Sequence, residues 1–140
     1  MKPKSIIINL ITIFCLVSSI LAQPPQGINY QGVARDAQGH PLLSRAISIQ
    51  LSVLDGSATG AVVYAETHNV TTNSSGLFNT AIGTGTLVSG NFSAIAWGQG
   101  EKWLKTEMDT SGGSNYQLIG TTQFLSVPYS LFSNKVYLQY

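Results

Sequence analysis

Glu66 and His68 stand two residues apart in a run rich in β-branched and aromatic residues, Val62 to Thr71. A strand places residues i and i+2 on one face, so a carboxylate and an imidazole would sit side by side. Such a pair can ligate a metal or relay a proton. Either role needs further convergent groups, and a solvent-facing strand edge accounts for the pair equally well. His40, the other histidine, falls in a turn beside Pro41. The Asp109–Asn115 link has the oxygens and glycines of a calcium loop, but not the repeated carboxylates that such loops need. It reads as a hairpin turn. The chain has no Gly-x-Ser-x-Gly elbow, His-Glu-x-x-His pair or phosphate-binding glycine loop. No catalytic residue, metal ligand or cofactor is therefore expected.

Aromatic rings are the better candidates for contact with a ligand. Trp103 and Tyr116 are the two expected to touch one, by stacking on sugar rings. Alternation sets Trp103 on the face opposite Leu104 and Met108. Trp97, close to Phe92 and Ile95, reads as core. Three Asn-x-Ser/Thr matches begin at Asn69, Asn73 and Asn91, as chance allows in a chain so rich in these residues.

Composition narrows the classes further. Cys15 is the single cysteine and lies in an apolar N-terminal run, so the remainder can form no disulfide and no thiolate site. Phe14 before it argues against a lipid-anchor signal, which wants a small residue there. Lys2 and Lys4, the run from Ile6 to Val17, and Ala22 before Gln23 predict a secretory signal peptide over residues 1–22. An uncleaved anchor is the other reading of that run. Cleavage leaves about 118 residues, the size of one ordinary domain. The chain has seven basic and six acidic residues. Losing Lys2 and Lys4 leaves five against six, too few cations to grip nucleic acid or an anionic membrane.

The positioning elements follow from a period of two. Ile47, Ile49, Leu51 and Val53 alternate with Ser48, Gln50 and Ser52, the pattern of a half-buried strand. Further strands are expected at residues 28–35, 62–71, 77–82, 102–109, 116–120 and 121–126. Gly39 and Gly76 punctuate turns, while residues 83–90 read as a Gly/Thr-rich loop. Tyr30, Gly39, Gly76, Phe78, Trp97 and Pro128 are the expected structural positions. Short strands, glycine turns and no helical period predict an all-β protein, an antiparallel β-sandwich of Ig-like or transthyretin-like kind. The domain would span 23–126. A short helical or extended tail, 127–140, follows from Pro128 and the apolar ending at Val136–Tyr140.

Four stretches in order carry a resemblance: Pro25–Gly39, Thr72–Phe78, Ile95–Gly98 and Phe124–Phe132. Together they resemble the N-terminal module of large secreted or cell-surface proteins of Bacteroidota-type bacteria. In those proteins the Ser126-Val127-Pro128-Tyr129 stretch leads into a helical, collagen-like or tail-fibre-like stalk, or into an effector. The resemblance implies no catalytic residues, and this chain departs from the pattern in stopping soon after Phe132.

The expected function is that of a secreted, non-enzymatic structural or adhesion module at the bacterial cell surface. Its partners would be a protein or a second copy, through edge strands or the C-terminal tail. A carbohydrate-binding module using exposed aromatics is the alternative. No nucleic-acid partner and no stable membrane span after cleavage are expected.

Overall fold

The computed structural model describes residues 27–125. The expected signal peptide, Pro128 and the 127–140 tail lie outside the described residues. Within them, alternation becomes strand throughout: β1 (Ile28–Val33), β2 (Ala46–Asp55), β3 (Val62–Thr71), β4 (Leu77–Ile82), β5 (Thr86–Gly90), β6 (Lys102–Asp109) and β7 (Gln117–Gln123). Two antiparallel sheets pack face to face. One has two strands, in the order β1-β4; the other has five, in the order β5-β3-β2-β6-β7. The expected all-β sandwich is what the chain forms. No described helix is long and apolar enough to cross a membrane.

The apolar face of β2 forms the centre of the core. Ile49, Leu51 and Val53 are fully buried, with Ile47 nearly so. Each such side chain contributes about 1.5–3 kcal/mol by leaving water. Leu104 and Met108 from β6, Tyr64 from β3, and Phe78 and Ile82 from β4 complete it. The opposite face of β2 is not solvated, contrary to the half-buried expectation: Ser48 and Ser52 are both 1% exposed. β2 is the middle strand of five, so neighbouring strands cover its small residues on both sides. Asn69 and Asp109 flank Ser48; Lys105 flanks Ser52 on one side and the buried Ala65 on the other. The Ser48 hydroxyl donates to Asn69 Oδ1 at 2.7 Å, which satisfies a group that burial would otherwise penalise.

β1 and β2 do not pair; they belong to different sheets. Tyr30 on β1 ties the layers together, its ring 6.1 Å from Phe78 and its hydroxyl 3.2 Å from Thr106 Oγ1 on β6. The turn that follows is organised by Asp36, whose carboxylate accepts from the Gln38 and His40 backbone N–H groups. Those bonds, that of His40 foremost, hold its carboxyl below the ordinary value. Gly39 takes φ +86° there. Gly76 takes φ +78°, and a Cβ on it would lie 2.8 Å from Pro41 Cβ. Its carbonyl accepts from Ala34 N–H, so this is a turn and a close approach at once.

Two sequence readings need correction. The 83–90 stretch is not all loop, because Thr86–Gly90 forms β5 on the outer side of β3. Residues 116–120 and 121–126 are not two strands but one, β7, with an irregularity where Glu107 meets Leu118. Between β5 and β6 the chain crosses the end of the sandwich through a 3-10 turn, Phe92–Ala94. There Tyr64, Phe92, Trp97 and Phe124 form a chain of edge-to-face contacts with centroids 5.3–5.7 Å apart. Trp97 stands between Phe92 and Phe124 in this chain but at the surface and not in the buried core, for it is 40% exposed.

Candidate functional site

Glu66 and His68 do share a face of β3, but it is the inner one. β5 lies outside β3, so the pair is no solvent-facing edge, and Glu66 is 0% exposed. A carboxylate so placed must be hydrogen-bonded, and this one is, four times. Its Oε2 accepts from the Tyr64 hydroxyl at 2.7 Å and from Gly85 N–H at 2.7 Å. Its Oε1 accepts from Gly83 N–H at 2.8 Å and from His68 Nε2 at 3.0 Å. An ionised carboxylate has about four acceptor positions. All are filled from within the fold. Burial pushes the Glu66 carboxyl up, but the four donors outweigh it and hold it below its ordinary value. The same burial, together with the bond to Glu66, drives the Tyr64 hydroxyl far above its ordinary value.

Because Glu66 can only accept, His68 must carry its proton on Nε2. In the neutral ring Nδ1 then accepts from Thr80 Oγ1 on β4, at 2.7 Å. The chain Tyr64–Glu66–His68–Thr80 thus joins the two sheets and fastens the Gly83–Gly85 turn that launches β5. Among the described residues no three potential ligands converge as a metal site. The Asp109 carboxylate is likewise taken up by its own hairpin. It accepts from Ser111 N–H and Oγ and from Asn115 N–H, and the Ser111 hydroxyl foremost lowers its pKa.

Trp103 lies on the outer face of β6, half-buried, with its indole N–H 3.3 Å from Glu101 Oε2. Lys105 and Glu107 follow on that face, 3.0 Å apart. Tyr116 is not beside it. Trp103 pairs with Gln123 at one end of the β6–β7 hairpin, while Tyr116 precedes Gln117, which pairs with Met108 at the other. At the rise of a strand this is a separation of roughly 15–20 Å, too far for one sugar ring to touch both.

The five-stranded sheet ends in two edge strands, β5 and β7. β5 is exposed along its whole length, and β7 along most of it. Leu87 and Val88 on β5 are 60% and 55% exposed; Leu118 and Ile119 on β7 are 63% and 56%. In both strands the apolar pair coincides with a register shift: Glu66 faces Leu87 while Ala65 faces Ser89, and Glu107 faces Leu118 while Thr106 faces Gly120. Val88 and Ile119 are thus the extra residues of two β-bulges. Neither strand contains Pro or a charged residue; of the means by which exposed edges are blunted, these two rims have only the bulges and the short length of β5. The Leu87–Val88 rim lay hidden in a run that glycine and threonine mark as loop; its signal was the β-branched, apolar Thr86-Leu87-Val88 core of that run.

A family model, described as a domain of unknown function (DUF8740), matches residues 29–122. No curated protein and no solved structure matches the chain.

Proposed function

The chain belongs to the DUF8740 family of domains of unknown function, and we propose that it is an exported, non-enzymatic structural or adhesion module that assembles at the bacterial cell surface. One observation carries this reading: both rims of the larger sheet present uncharged, apolar strand edges. An edge strand offers a row of unpaired N–H and C=O groups to another chain. Leu87–Val88 and Leu118–Ile119 add apolar area where such a chain would lie. The filled acceptor positions of Glu66 support a scaffold in preference to a catalyst, since its lone pairs are committed to holding Tyr64, His68 and the turn into β5. The signal-peptide pattern supports export, and the resemblance to surface-protein modules agrees with it.

Sedimentation of the chain purified from an exporting host tests the reading. Concentration-dependent self-association, or adhesion of particles coated with it, is the expected result. Leu118→Lys together with Leu87→Lys should abolish either behaviour while far-UV circular dichroism and Tm stay unchanged, because both side chains face water. A wild-type chain that stays monomeric at millimolar concentration, and whose coated particles neither adhere nor aggregate, would refute assembly through these rims.

A further inference from the structure

A cleft at the Trp97 end of the sandwich combines an ion pair, buried on its lysine side only, with free polar groups. Its volume is about 240 Å³, and its polar lining is Asp55, Asn91, Gln99 and Lys102, with Ile95 and Val63 as the apolar part. Lys102 is 5% exposed. Its ammonium meets Asp55 Oδ1 at 2.8 Å and donates to the Gln99 carbonyl. An ammonium has three N–H groups, so one is left without an acceptor among the described residues. Asp55 is 52% exposed, and its second oxygen is open to a donor. The Asn91 side chain accepts from Ser93 N–H and Oγ through Oδ1, which keeps both of its Nδ2 donors available. The Gln99 side-chain amide makes no hydrogen bond among the described residues and can donate and accept.

We infer that this cleft binds one neutral sugar residue. Three observations point to that chemistry. First, the only charges in the lining are Asp55 and Lys102, and they cancel, so neither an anion nor a cation is favoured. Second, the free groups include both donors and acceptors, which suits hydroxyls that act as both. Third, the volume falls below the roughly 300 Å³ at which drug-sized pockets begin, which suits a single ring. Ala94 and Ala96 of the same crossing complete the lining. This sugar contact lies apart from Trp103 and Tyr116, at a place that no single segment of sequence encodes. The inference is independent of assembly through the sheet rims, and either can fail alone.

The test is titration of the exported, purified chain with methyl glucoside, methyl galactoside and N-acetylglucosamine, followed residue by residue in amide NMR spectra. Saturable shifts at Asp55, Asn91 and Gln99 are expected, with millimolar Kd. Gln99→Ala should weaken binding roughly tenfold, equivalent to about 1.4 kcal/mol, with Tm unchanged, because its side chain supports nothing else. Trp103→Ala and Tyr116→Ala should leave the affinity as it was. No shift with any of the three sugars at tens of millimolar overturns the inference. So do shifts centred on Trp103, shifts indifferent to Gln99→Ala, or tighter binding of glucuronate than of the methyl glycosides.

Discussion

Single residues in this protein are held to their identity by geometry more than by reactivity. Gly76 is the sharpest case. Its φ of +78° disfavours any side chain, and a Cβ there would also strike Pro41 at 2.8 Å. Gly39 has a similar φ but open space around it. Replacing Gly39 with Ala should cost about 1 kcal/mol from backbone strain alone. Gly76→Ala should cost roughly 2–3 kcal/mol, because a steric overlap adds to the strain. Urea unfolding of the two variants measures the difference. Equal losses would mean that the Pro41 contact gives way without penalty.

At the level of elements, β5 depends on the turn that launches it as well as on its pairing with β3. Its entry passes Gly83 and Gly85, whose N–H groups both donate to Glu66. Gly85 lies so close to the network that a Cβ on it would sit 2.6 Å from His68 Nε2 and 2.7 Å from the Thr67 carbonyl. Gly85→Ala should therefore dislodge the turn and loosen β5 locally. Hydrogen exchange at Thr86–Ser89 should quicken at least tenfold while the β2 and β6 amides keep their protection. Equal acceleration in all three strands would show instead that β5 and the central sheet open together. At the opposite rim, β7 is set by the Asp109 carboxylate, which gathers the hairpin's N–H groups. Both rims are thus aligned by buried or capped acids, and their own side chains remain turned to water.

For the molecule as a whole, Glu66 links acidity to folding. Its folded carboxyl lies below the ordinary value of 4.5, so the unfolded chain takes up the proton more readily. The stability it contributes is complete above the unfolded value and is lost as pH falls through the lower folded one. Asp36 and Asp109, also lowered, act with the same sign. Glu66→Gln should destabilise the protein by about 3 kcal/mol at neutral pH, since an amide presents N–H groups to donors that need acceptors. It should also flatten the fall in urea midpoint below about pH 4.5, leaving the smaller dependence due to the two aspartates. An unchanged acid limb in Glu66→Gln would remove Glu66 from the account of acid unfolding.

Period-two alternation by itself determined β1 to β4 and β6 and their inward residues such as Ile49, Leu51, Leu104 and Met108, and glycine placement marked the turns at Gly39 and Gly76; together they fixed the sandwich class, while β5 and the unbroken β7 escaped both signals. Those features are local: a pleated chain sends neighbours to opposite faces whatever surrounds it. Strand order was not local, and everything that turned on it was decided by the tertiary structure. Placing β2 in the middle of five strands buried Ser48 and Ser52. Adding β5 outside β3 turned Glu66 and His68 from an apparent solvent edge into an inter-sheet clasp. Bringing the ends of β2 and β6 together with the 92–99 crossing joined Asp55 to Lys102, two charges 47 positions apart. Burial and ion pairing depend on which strand becomes the neighbour, and that choice is settled by the packing of the whole core.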